Sequence, residues 1–179
     1  MFIRLRPLAI SLAILLSFSQ CSTLENLFNE AATPSSCTPS RTPRHSEENQ
    51  LRQNIVDFAL KQQGAPYKYA GRSPRTGFDC SGFTYYVMSN FGIELTPVSR
   101  IQEDEGQRIR LEEAKPGDLV FFRRSRTGSV FHVALVVSNG NDGMRVIHST
   151  SSRGVIVDNI QESSYWRKKI ATARRVIPQ

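Results

Sequence analysis

His132-Val133-Ala134-Leu135-Val136-Val137-Ser138-Asn139-Gly140-Asn141-Asp142-Gly143-Met144-Arg145-Val146-Ile147-His148 (HVALVVSNGNDGMRVIH) holds two β-forming runs on either side of a turn. HVALVV and RVIH are rich in β-branched residues, and Asn139–Gly143 is made of residues that tolerate turn backbone. The spacing predicts a hairpin. His132 opens its first strand and His148 closes its second, so both imidazoles are expected at the same end of one sheet.

Further short strands flank this pair. Asp118–Arg123, Val155–Val157 and Lys169–Val176 are β-branched or alternating runs, set apart by Gly128 and by Ser152-Arg153-Gly154. Before Asp118 the pattern is helical. Leu51, Ile55, Phe58 and Ala59 recur at helical spacing, with Ser46 as the expected N-cap, Glu47 and Glu48 in the first turn, and an end near Gly64. A second helix is expected to begin at Cys80, where Phe83, Val87 and Phe91 recur and Gly92 supplies a stop. Pro97–Glu105 reads as a short third helix. Helices followed by successive antiparallel strands give an α+β domain, N-terminal helices packed on an antiparallel β-sheet, over residues 47–179.

The chain of 179 residues is longer than that domain. Arg4 and Arg6 precede the apolar run Leu8–Phe18, the layout of a secretory signal peptide, and residues 1–20 are read as one. The run is shorter than the about 20 apolar residues that span a bilayer. Cys21 stands at the expected cleavage point, in Phe18-Ser19-Gln20-Cys21, which approximates the box where a bacterial lipoprotein is acylated, with palmitate among the expected chains. An ordinary secreted protein with a leftover thiol is the other reading. Residues 21–46 then read as the lipidated cysteine and a flexible Pro/Ser/Thr-rich tether, with a short helix near Leu24, Leu27 and Phe28 as an option. About 25 such residues have a root-mean-square span of roughly 25–30 Å, enough to let an anchored domain reach a polymer.

Loss of Arg4 and Arg6 with the signal lowers the net charge from +7 to +5. The bases gather in Arg123-Arg124-Ser125-Arg126, Arg167-Lys168-Lys169 and Arg174-Arg175. An exported protein meets little nucleic acid, so anionic wall or lipid groups are the expected partners of these faces and nucleic acid is not. Three cysteines are an odd count for an oxidising compartment. With Cys21 lipidated, Cys80 is better explained as a working thiol than as half of a bridge to Cys37, which has no assigned role.

Cys80 lies in Gly77-Phe78-Asp79-Cys80-Ser81-Gly82-Phe83, where a loop becomes a helix. The positive end of the helix dipole there favours a thiolate, opposed by Asp79 next door. A buried small hydrophobe is the ordinary role of such a cysteine, and the histidines shift the balance. His45 belongs to the tether, expected to lack order. His132 and His148 remain. In the cysteine-nucleophile arrangement His132 accepts the thiol proton, His148 orients His132, and the Cys80 N–H serves as an oxyanion donor. One Cys and two His can also bind zinc, but these lack the closely spaced pairs of zinc sites.

The segments Gly64–Gly71 (GAPYKYAG), Gly77–Phe83 (GFDCSGF), Lys115–Phe122 (KPGDLVFF), His132–Val137 (HVALVV) and Val146–Ser149 (VIHS) together resemble the NlpC-type family of papain-like cell-wall cysteine peptidases. They occur in family order and span nearly all of residues 50–177. The resemblance implies a papain-like fold and hydrolysis of peptidoglycan stem peptides without a metal or other cofactor. Cys80 matches the nucleophile, His132 the base and His148 the third polar residue. Tyr67 matches a tyrosine that lines the active site, and Asp79 and Ser81 match substrate-contacting positions. Ala70 stands where many members have a second glycine, and Thr96-Pro97-Val98-Ser99 departs from the commoner Leu-Pro-Arg-Thr-Ser type; both bear on substrate preference.

A lipid anchor with a single catalytic domain is similar to lipoprotein members that open D-alanyl–diaminopimelate cross-links, on the periplasmic side of an outer membrane. Other members cut the γ-D-glutamyl–diaminopimelate bond within one stem. A wall-peptide binder and a thiol acyltransferase or amidase share the fold. The sequence carries no signal for oligomeric state.

Overall fold

The computed structural model describes residues 42–178. The signal, acylation of Cys21, the tether up to residue 41, the short helix near Leu24 and any pairing of Cys37 lie outside the described residues. The first helix, α1 (Thr42–Leu60), starts earlier than expected. Ser46 is therefore inside it rather than its cap, and the helix takes in the last residues assigned to the tether. His45, expected to lack order, sits in its opening turns and accepts a hydrogen bond from Asn49 Nδ2 at 2.9 Å. Side-chain pairs one turn apart, Glu48–Arg52 at 2.8 Å, Gln50–Asn54 at 2.9 Å and Gln53–Asp57 at 2.9 Å, support this polar stretch. Its apolar positions Ile55, Val56 and Ala59 are buried.

After Gly64 the chain forms a small antiparallel ribbon, β1 (Arg72–Ser73) and β2 (Gly77–Phe78), too short to leave a sequence pattern. Then come α2 (Cys80–Ser89), starting where expected, and α3 (Ser99–Gln102), a single turn that occupies only the middle of Pro97–Glu105. Gly92, the expected stop of α2, has φ +71°.

The strands are β3 (Gln107–Ile109), β4 (Leu119–Arg123), β5 (Val130–Gly140), β6 (Gly143–Thr150), β7 (Gly154–Asn159) and β8 (Ile170–Arg175). They form one antiparallel sheet in the order β3-β8-β4-β5-β6-β7. The expected hairpin is β5–β6, with Leu135 opposite Ile147 and Gly140 opposite Gly143, so Asn141 and Asp142 make the turn. Both strands run longer than their apolar runs.

The sheet is covered on both faces, which is why its strands read as continuous apolar runs rather than clean alternations. Leu119, Phe121, Val133, Leu135 and Ile147 pack with Ile55, Phe83 and Val87 of the helices. Their neighbours Val120, Phe122, Ala134, Val136 and Val146 face a second cluster that includes Ile160, Trp166 and Ala173. His132 and His148 share the parity of this second set.

A buried ion network fastens α1 to the sheet. Asp118, fully buried, accepts hydrogen bonds from Arg52 Nη1 at 2.9 Å, Arg175 Nη2 at 3.0 Å and the Lys115 N–H at 2.9 Å. Removing one partner of a buried pair leaves the others charged and unpaired. Asp118→Ala is expected to lower unfolding free energy by about 3–5 kcal/mol, measured by urea denaturation. Arg110→Ala, which removes an exposed pair with Glu113, is expected to leave the midpoint in place.

Candidate active site

The sequence around Cys80 is committed to holding a helix start in one place. Asp79 is extended (φ −88°, ψ 177°) and caps α2, its Oδ1 accepting from the Gly82 N–H at 2.6 Å. Its Oδ2 accepts from the Ala70 N–H at 3.0 Å. Ala70 takes this position with φ 54°, the left-handed region that favours glycine. A Cβ on Gly82 would strike the carbonyl of Gly71, so the helix can approach this loop only without a side chain there. Ser149 Oγ of β6 donates to the Phe78 carbonyl at 2.7 Å, tying the residues before Cys80 to the strand that carries His148.

α3 completes the seat. Gln102, fully buried, donates through Nε2 to the Ser81 carbonyl at 3.1 Å and accepts from Thr84 Oγ1 at 2.8 Å.

Cys80 is half-buried, with its thiol free, and lines a cleft of about 470 Å³ together with Tyr67, His132, Arg153 and Trp166. His132, 7% exposed, places Nε2 2.9 Å from Nδ1 of the fully buried His148. Trp166 stacks on the His132 ring at 4.7 Å and 25° and contacts His148 at 5.0 Å. The other nitrogen of His148, Nε2, lies 3.1 Å from Asp158 Oδ2, which also accepts from Arg153 Nη2 at 2.8 Å.

Burial dominates the electrostatics. It pushes the Cys80 thiol up to about 11, with Asp79 adding to the rise; backbone hydrogen bonding from Val133, Ser81 and Cys80 itself works the other way. Burial therefore opposes the thiolate that the helix end was expected to favour. His132 is held well below the ordinary imidazole range, first by burial and then by His148. The Asp158 carboxyl is drawn down to about 2, chiefly by its hydrogen bond to His148 and further by Arg153. At rest the thiol and the His132 imidazole are therefore both neutral.

Of the residues singled out from sequence, Cys80, His132 and Tyr67 line the cleft and His148 stands directly behind His132. Tyr67 is 37% exposed, and burial, with Asp79 and Cys80 nearby, raises its phenol. Asp79 and Ser81 do not line the cleft. Asp79 is occupied as a cap, and Ser81 Oγ is buried against Asp79 Oδ1 at 3.1 Å and the Pro97 carbonyl at 3.2 Å. The sequence reading missed Trp166, Asp158 and Arg153, along with Arg124, whose guanidinium lies 4.5 Å from the Phe131 ring centroid at the cleft. Among the described residues no group of three or more His, Cys, Asp or Glu side chains is arranged to hold a metal ion.

The profile of the NlpC/P60 family matches residues 64–175. The chain is 33% identical over 177 residues to the murein DD-endopeptidase MepS/murein LD-carboxypeptidase of Escherichia coli (strain K12), spanning 94% of this chain and 90% of that protein. It is 40% identical over 124 residues to the gamma-DL-glutamyl hydrolase of Bacillus subtilis (strain 168), 68% of this chain but only 29% of that protein's length. An NlpC/P60 family protein from Bacillus cereus superposes with a TM-score of 0.65 at 32% identity, over 71% of this chain and 40% of that one.

A neutral resting thiol has a readable consequence. Alkylation of Cys80 by iodoacetamide, followed by peptide mapping, is expected to accelerate continuously past pH 9, since thiolate grows as pH approaches about 11. A plateau below pH 8 would instead mean a preformed thiolate–imidazolium pair.

Proposed function

Because the chain belongs to the NlpC/P60 family, we propose that it is a peptidoglycan hydrolase whose bond is the D-alanyl–diaminopimelate cross-link and whose nucleophile is Cys80. The observation that carries this reading is the meeting, at one cleft, of a helix-start thiol with an imidazole backed by a second imidazole. Similarity along nearly the full length of a murein DD-endopeptidase supports the choice of bond.

His132 takes the proton from Cys80 Sγ as sulfur attacks the scissile carbonyl carbon. Negative charge gathers on the carbonyl oxygen, for which the Cys80 N–H is the donor at hand, with the Tyr67 hydroxyl on the same cleft. Collapse breaks the C–N bond, and His132 passes its proton to the leaving diaminopimelate amine. A thioester remains. Water then attacks it, giving its proton to His132, and the thiol is regenerated as the new carboxylate departs. His148 holds the His132 ring through the 2.9 Å contact, and Trp166 covers it.

Cleavage of the γ-D-glutamyl–diaminopimelate bond is the second reading, favoured by the 40% identity to a gamma-DL-glutamyl hydrolase. On cross-linked diaminopimelate-type peptidoglycan, mass spectrometry is expected to find dimers converted to monomers; dipeptide-bearing sugars would give the bond to the second reading. Cys80→Ala is expected to abolish turnover in a folded protein, and unchanged polymer with retained binding by both proteins would mean a wall-peptide binder. His132→Ala is expected to lower kcat by about 10²–10⁴-fold, and His148→Ala by less, because it orients rather than transfers. The reverse order would exchange their roles.

The working place of the enzyme is the cell envelope. Cleavage after Gln20 and acylation of Cys21 fit its arginine-led apolar start, with the periplasmic face of an outer membrane as the site. Labelled palmitate is expected to enter the native chain and not Cys21→Ser, which is expected to leave the membrane fraction; equal labelling of both would remove the anchor.

A further inference from the structure

Beyond the thiol and two imidazoles, the cleft wall continues into a row of groups that have no place in the mechanism above. His148 does not end in solvent or on a carbonyl. Its Nε2 meets Asp158 Oδ2 at 3.1 Å, and the same oxygen accepts from Arg153 Nη2 at 2.8 Å. The register explains how: Val146 lies opposite Asp158 and His148 opposite Ile156, so Asp158 shares the sheet face of the imidazoles, one pleat along.

An ionised carboxylate only accepts hydrogen bonds. Facing Asp158, His148 must therefore carry its proton on Nε2. With one proton on the ring, His148 Nδ1 is a lone pair. That lone pair lies 2.9 Å from His132 Nε2, so His132 must be protonated there. Its remaining nitrogen, Nδ1, is then unprotonated and free to accept a proton on a ring that lines the cleft with Cys80. Reversing either imidazole sets a lone pair against another acceptor inside a buried row. One carboxylate thus determines the protonation of an atom two rings away.

We propose that Asp158 is a positioning residue of this site, which fixes the tautomers of His148 and His132, with Arg153 as its clamp. The inference rests on the reading of His132 as the base. It also accounts for charge during turnover. When His132 Nδ1 takes the thiol proton, the imidazolium is connected through the His148 ring to a carboxylate that is already ionised. The charged group on the row is Arg153, from the turn between β6 and β7, on Asp158; the Cys80 thiol, neutral at rest, lines the same cleft, and Arg124 covers the neighbouring Phe131.

The deciding readout needs no substrate. In the ¹⁵N-labelled full chain, two-bond imidazole correlation spectra at pH 7.5 are expected to find both His132 and His148 protonated on Nε2. Asp158→Ala is expected to shift His148, and with it His132, to a mixture of tautomers. Its kcat is expected to fall about 10–100-fold with KM within about twofold, short of the about 10⁴-fold loss when an aspartate touching the base itself is replaced. Asp158→Asn keeps the side-chain size and serves if the alanine variant does not fold; its amide can donate to His148 and so permits the reversed tautomer. Native-like protonation of both rings in the folded variants overturns the proposal, whether or not kcat falls. Native His132 carrying its proton on Nδ1 overturns it as well. A wrong choice of substrate bond leaves these spectra unaffected.

Discussion

The 2.9 Å contact between His132 Nε2 and His148 Nδ1 is buried, and a buried polar group must find its partner inside the protein or cost free energy. That requirement sets several other features at once. The two rings meet only if β5 and β6 pair in the register that puts Leu135 opposite Ile147. A slip by one residue would send one imidazole to the helical face. The two-residue turn at Asn141-Asp142 helps hold that register, and Gly143, with φ +96°, supplies the left-handed backbone it needs. Trp166 closes over both rings from the far cluster.

The thiol comes to the shared cleft from the other side of the sheet. Cys80 packs with the helical cluster, while the imidazoles belong to the face of Trp166. Bringing the two together at the end of β5 demands a helix start fixed with little freedom. The Asp79 cap, the close approach of Gly82 to Gly71, and the Ser149 to Phe78 hydrogen bond supply that fixity. The same enclosure explains the neutral resting pair, because a site dry enough to make hydrogen bonds count also disfavours isolated charge.

Much of this was legible in the sequence. The hairpin, the start of α2 at Cys80 and the strands β4, β7 and β8 followed from apolar runs and their punctuation. What stayed hidden has physical reasons. β3 is a three-residue edge strand of Gln, Arg and Ile with no period to read. The early start of α1 rests on polar pairs one turn apart, in a stretch whose Pro and Ser content reads as tether. The thiol's raised position depends on packing against β5, which no local motif encodes. Asp158 is an ordinary strand residue until the register sets it beside His148. Asp79 and Ser81 stand beside Cys80 in sequence, yet their side chains are taken up in holding the helix rather than lining the cleft.

In the proposed reaction Cys80, driven by His132, forms a covalent acyl bond with a stem peptide. The most direct measurement is intact-protein mass spectrometry after millisecond acid quench of the enzyme with cross-linked muropeptides, with the adduct located by peptide mapping. A transient mass gain on Cys80 equal to the acyl half of the cleaved cross-link is expected, absent in Cys80→Ala. Sustained turnover with no thioester on Cys80, or with the adduct on another residue, would contradict it.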